Sequence, residues 1–184
     1  HAKIQILDVP GIVKGASDGT GRGKEVLSVM RNADMAMLLI EVSHPEHLDV
    51  MLHEIRNTNI RINQHKPYVK IRKTSKNGIR IGKTVKLRNL TDDTIKAILK
   101  EFRINNADVL IREEINDDQL IDLIEDNKEY MPGIIILTKA DTVSRERAEE
   151  IRRNIGADII ISAEKRSGIE ELKKLIFDRL ELVR

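Results

Sequence analysis

At 184 residues, with 32 Lys or Arg against 30 Asp or Glu and a formal net charge of +2, the chain has room for one sizeable core and a small insert, which excludes a large multidomain machine. The lack of cysteine excludes a disulfide scaffold and thiolate metal sites. No apolar run approaches a bilayer span, and HAKIQILDVPG does not open like a secretory leader, so a cytoplasmic chain without a membrane partner is expected.

Residues 2–8, AKIQILD, alternate and then run apolar into an acid, the pattern of a strand that delivers a functional group at its carboxyl end. A glycine-rich loop follows, and Val26, Val29, Met30 and Ala33 recur at helical spacing around 24–32. MAMLLIEV at 35–42 reads as an apolar strand buried on both faces. Ser43, with Pro45 in the first turn and Glu46 three residues on, reads as a capping box that opens a helix. From Arg61 short β-like pieces appear, YVKIRK and GIRI, which Asn77 and Gly78 join as a hairpin signal.

A helix is expected over about 92–102, a strand over 107–113 and an acidic helix over 117–127. The opening rhythm then returns: strand GIIILTKAD, a helix from Ser144 to about Asn154, and strand ADIIISAE. A last helix runs from Gly168 to about Val183, capped by Ser167 with Glu170, with Ile169, Leu172, Leu175, Ile176 and Leu180 on one face. Strands alternating with helices at both ends predict an open, mostly parallel α/β sheet over 1–61 and 129–184, interrupted by an inserted α+β domain over 62–128.

Three strand ends carry polar clusters: Asp8-Val9-Pro10-Gly11, Thr138-Lys139-Ala140-Asp141 and Ser162-Ala163-Glu164. With them, LDVPGIVKGASDGTGRGKEVLSVMRNAD, NIRINQHKP and NADVLIREE make the chain resemble the Obg-related, translation-factor-class GTPases, and within them the developmentally regulated GTP-binding protein family, over essentially its whole length. The resemblance implies a P-loop-NTPase-like fold and a GTP or GDP site with Mg²⁺. Asp8 would hold a water on that ion, and Gly11, after Pro10, would bring a backbone N–H to the γ-phosphate. These two are the expected catalytic positions. The glycines at 15, 19, 21 and 23 would let the switch loop order around GTP and relax afterwards.

Asp141 would accept from both N–H donors on one edge of guanine, and Lys139 would lay its stem along the base. Thr138, where the family more often has Asn, would tie loops together. The Ala163 N–H would meet the guanine oxygen, with Ser162 bracing the loop beside Glu164.

Two departures bear on activity. Ile12 stands where Ras-like GTPases carry a water-positioning Gln, so hydrolysis would rely on backbone, metal or a monovalent cation. No GxxxxGK[ST] occurs: in DGTGRGKE at 18–25, Asp18 replaces the first glycine and Glu25 the Mg²⁺-binding hydroxyl. The family places its phosphate loop upstream of His1, so the chain reads as part of a GTPase, inactive by itself. The strand missing between 2–8 and 34–42 would leave unpaired edges, which predicts rearranged pairing or a strand-exchanged dimer.

Arg61 to Arg88 holds ten basic residues and no acidic one, which leaves the remaining chain at −8. Lys66, Lys70, Arg72, Lys73, Lys76, Arg80, Lys83, Lys86 and Arg88 are therefore candidate RNA or ribosome contacts, and an RNA-binding module without nucleotide turnover is the alternative function. The competing reading is a solvated, aggregation-resistant sheet edge. Aromatic residues at 2% argue against base stacking. His44, His47 and His53 read as solvated or helix-end residues, and a regulatory protein partner completes the expected set.

Overall fold

The computed structural model describes residues 3–9 and 29–182. Its elements in chain order are β1 (Ala36–Glu41), α1 (His47–Asn57), β2 (Ile60–Ile62), β3 (Val69–Lys73), β4 (Ile79–Lys83), α2 (Asp92–Glu101), β5 (Ala107–Ile111), α3 (Asp117–Glu125), β6 (Glu129–Met131), β7 (Gly133–Thr138), α4 (Arg145–Ile155), β8 (Ile159–Ile160) and α5 (Ile169–Arg179). The fold is α/β with mostly parallel pairing, and the chain divides into two compact units, His1–Gln64 with Glu129–Arg184, and His65–Lys128. Among the described residues no helix is long and apolar enough to cross a membrane.

The first unit is built on the parallel sheet β1-β7-β8. Ala36, Leu38 and Ile40 of β1 face one core with Leu48 and Ile55 of α1 and Ala148 and Ile151 of α4. The opposite face, with Met37, Ile134 and Ile136, packs against Ile169, Leu172, Leu175 and Ile176 of α5. β1 is not buried on both faces as expected, because that second cover stops short and leaves Leu39 55% exposed. β2 and β6 form a separate parallel pair, and Gly133 follows β6 where a Cβ would strike Ile62 Cγ2.

Four further expectations are corrected. Residues 3–9 form no strand: Ile4, Ile6 and Leu7 are exposed, and among the described residues no strand pairs with the outer edge of β1. A strand without a ladder partner leaves its peptide groups to water, so apolar alternation alone does not hold it. The expected rearranged pairing is likewise not found among the described residues. Ser43 does not cap α1, because Pro45 and Glu46 form a turn first and the Ser43 hydroxyl bonds Glu41 at 3.4 Å instead. Ser167 does not cap α5: it closes a loop by two backbone bonds with Ser162, and Gly168 takes the cap position at φ 77°. The helix expected around 24–32 lies mostly outside the described residues; of the described part, Val29 and Met30 are helical.

In the second unit β3 and β4 do not make a hairpin ladder. β5 inserts between them, antiparallel to β3 and parallel to β4. Its ADVLI repeat buries Ala107, Val109 and Ile111 on one face, so as the most apolar of the three strands it takes the centre. Those residues pack on Ile95 and Leu99 of α2 and Leu120 of α3. Thr91 caps α2, and Asn116 with Gln119 forms a full capping box on α3.

Candidate nucleotide-base site

The polar residues of the first unit gather where its parallel strands end. The Thr138 hydroxyl donates to the Ile40 carbonyl at 3.1 Å, and the Val42 N–H donates to the Thr138 carbonyl at 3.1 Å. The side chain and the ladder together fasten the end of β7 to β1. Lys139 then adopts a left-handed conformation, φ 57°, an uncommon one for a residue with a Cβ. Its ammonium lies 2.5 Å from the Glu41 carboxylate at the end of β1, which holds that carboxyl below the usual range.

This sharp turn leads into a single 3₁₀ turn, Ala140–Thr142, that presents Asp141. The Ala140 N–H reaches the Ile161 carbonyl at 3.3 Å, and the Ser162 hydroxyl donates to Asp141 Oδ1 at 2.5 Å. The same hydroxyl oxygen accepts from the Lys165 N–H at 3.1 Å, so the buried Ser162 hydroxyl both donates and accepts. Asp141 is held below the ordinary carboxylate range, first by this hydroxyl, then by its own backbone amide and by the charge of Lys165. It stays ionised, an acceptor-only group half open to solvent.

Thr138, Lys139, Asp141 and Ser162 are thus brought together, with exposed Ala163 and Glu164 on the adjoining turn. Asp8 is exposed on the unpaired segment and is not carried to this cluster by a strand, which corrects the expected delivery of a carboxylate. Pro10 and Gly11, with Ile12 and the switch glycines, lie outside the described residues. Thr138, Lys139, Asp141 and Ser162 thus form the polar cluster found at the strand ends among the described residues. Glu41 was not singled out from sequence, although it ends an apolar run in an acid just as Asp8 does.

The basic residues of the second unit divide by position. Alternation along β3 and β4 turns Val69, Ile71, Ile79 and Ile81 toward the core and Lys70, Arg72 and Arg80 away from it. Arg72 Nη2 is 2.7 Å from Asp108 Oδ2, and Arg80 Nη2 is 2.7 Å from Asp108 Oδ1. One carboxylate on β5 therefore fixes two guanidiniums, and Arg72 first, then Arg80, hold it below its ordinary range. Lys66 pairs with Asp126, Lys83 with Asp92 and Arg88 with Glu114. Lys70, Lys73, Lys76 and Lys86 are exposed without an ion pair among the described residues. Arg61 is buried in the first unit, where it donates to the Arg56 and Ile60 carbonyls.

His44, Glu46 and His47 place their ligand-type atoms within 4.8 Å of one another. The two imidazoles are stacked 5.0 Å apart at 16°. Nitrogen lone pairs lie in the ring planes, so near-parallel rings do not converge on one ion, and all three residues are exposed.

A family model described as the C-terminal region of the MMR_HSR1 domain matches residues 76–182. A GTP-binding protein of Methanocaldococcus jannaschii is 41% identical over all of this chain and 48% of its own length. Developmentally-regulated GTP-binding protein 1 of Xenopus laevis is 38% identical, again over all of this chain and half of that protein. The chain belongs to the developmentally regulated GTP-binding protein family. A further member, Ribosome-interacting GTPase 1 of Saccharomyces cerevisiae, is 40% identical over the whole chain and half of its own length. This chain spans about half the length of the family members it matches. These relatives are named for GTP binding or for GTPase activity.

Proposed function

We propose that this chain carries the guanine-recognition end of a ribosome-associated GTPase that cleaves GTP to GDP and phosphate when its phosphate loop is present. The observation that carries the reading is the 2.5 Å bond from Ser162 to Asp141. It joins two loops that are distant in sequence and aims an ionised, acceptor-only group out of the end of a parallel sheet, where ligands of such sheets bind. Asp141 would take the two N–H donors of guanine, Lys139 would flank the ring, and the Ala163 N–H would meet the ring oxygen. Asp8 and Gly11 would act on the phosphate side, with Mg²⁺ and a monovalent cation supplying charge there in the intact protein.

The test is binding of fluorescent GDP to this chain joined to the upstream segment of the Methanocaldococcus jannaschii relative. Asp141→Asn is expected to weaken GDP on the order of 10⁴-fold, because the carboxylate that would accept from both guanine N–H donors is gone. If the joined protein ignores guanine nucleotides, the reading is wrong. The isolated chain is expected to bind GDP weakly and to hydrolyse no GTP. The same protein is the place to look for a regulatory protein partner in the cytoplasm, and sedimentation of the chain alone would detect a strand-exchanged dimer.

A second reading rests on the outward face of the insert sheet: an RNA-binding surface that acts without nucleotide turnover. Arg72 and Arg80, both fixed by Asp108, are pre-oriented forks suited to phosphate, with Lys70 beside them on the same face. Lys66, Lys73, Lys76, Lys83, Lys86 and Arg88 would add to the field around them. Affinity for a structured RNA is expected to fall steeply with salt, and the Arg72→Ala, Arg80→Ala double variant to lower the salt slope by about 2.

A further inference from the structure

We infer that Glu41 is a positioning residue for the nucleotide base, holding the Lys139 ammonium at the end of β1 so that the Lys139 stem stands as a fixed wall beside Asp141. This rests on the guanine reading above and extends it to a residue on a strand that carries no recognised motif. The pairing register sets the geometry: Glu41 lies opposite Thr138, so its carboxylate is directly beside the first residue past the end of β7. Its Oε1 meets Lys139 Nζ at 2.5 Å, and its Oε2 accepts the Ser43 hydroxyl at 3.4 Å. Both carboxylate oxygens are therefore engaged, and the acid is steadied as well as the base.

A lysine stem is long and freely rotating, so a ligand that packs against it must first order it. Here the left-handed backbone at Lys139 sets where the stem begins, and Glu41 sets where it ends. Fixing both ends removes most of that ordering from the binding step. The pair is more than half exposed on the lysine side, and exposed ion pairs contribute little to folding. Its effect is accordingly expected in ligand affinity and not in the unfolding midpoint.

The experiment is a GDP titration on the chain joined to the upstream segment, in variants Glu41→Gln, Glu41→Asp and Lys139→Met, with Asp141→Asn as the control for the guanine reading. Glu41→Gln is expected to weaken GDP about two- to fivefold, the scale of one partly exposed ion pair, while the thermal midpoint stays in place. Glu41→Asp should recover most of the loss. In the Lys139→Met background, where the stem remains but the ammonium is gone, Glu41→Gln should have no further effect. A Glu41→Gln protein that binds GDP as the parent does overturns the inference, and so does an equal loss with and without the Lys139 ammonium. If the parent binds GDP and Asp141→Asn does not, those results sink the Glu41 role alone. A parent that fails to bind GDP removes both.

Discussion

The two units put polar chemistry in opposite places on their sheets. In the first, β1-β7-β8 packs against α1 and α4 on one face and, short of Leu39, against α5 on the other, and its polar groups lie at the strand ends. Glu41, Thr138, Lys139, Asp141 and Ser162 all meet there. In the second, α2 and α3 cover one face of β3-β5-β4, and the other carries Lys70, Arg72, Asp108 and Arg80 across its width. A twice-covered sheet can offer a small ligand only a rim. A once-covered sheet offers an extended partner a surface.

The largest test of that contrast is paired core truncation. Leu137→Ala under the rim and Leu99→Ala under the insert sheet should each cost about 2–5 kcal/mol in denaturant unfolding. Leu137→Ala should also weaken GDP, whereas Leu99→Ala should spare GDP and weaken RNA. A Leu99→Ala protein that is folded yet blind to GDP would break the comparison. Next comes Gly168→Ala, whose Cβ would strike the Ile160 carbonyl at a left-handed position. About 2–3 kcal/mol is expected from strain and clash, read as a lower thermal midpoint with GDP affinity falling because the Ser162–Ser167 loop shifts.

Smaller still, Asn116→Ala removes the side-chain half of the α3 capping box, the bond that its Oδ1 accepts from the Gln119 N–H, and should cost about 1 kcal/mol, with no change in GDP affinity. The smallest effect concerns pH. Asp108 has a depressed pKa, so its stabilisation is present above the unfolded carboxylate range, about pH 4, and is lost as pH falls through the folded value. Asp108→Asn should therefore lose less stability than the parent between about pH 5 and pH 2, as followed by acid unfolding. A parallel loss in both proteins would mean that the Arg72–Asp108–Arg80 cluster does not hold in solution.

Much of the rim was legible because it is local. TKAD and SAE each end an apolar run in polar residues, and Ser144, where the next helix was expected to begin, does cap it. The hairpin expected through Asn77 and Gly78 failed because the turn residues are right, φ 79° and 68°, but the partner strand comes from residues 107–111. Ser43 and Ser167 failed as caps because each hydroxyl or amide had a nearer partner. Glu41 ends an apolar run in an acid, but its pairing with Lys139 was not legible because that partner is 98 residues away.

By itself, then, the sequence determined the family, the alternation of strands and helices, and which side chains end them, because periodicity, capping and strand-end polarity act between residues a few positions apart. Only the tertiary structure decided that β5 fills the centre of the insert sheet, that residues 3–9 stay without a ladder, and that Glu41, Lys139, Asp141 and Ser162 share one rim. Those outcomes depend on strand partners distant in sequence, and a hydrogen-bond ladder is satisfied or left open only when the partner is in place.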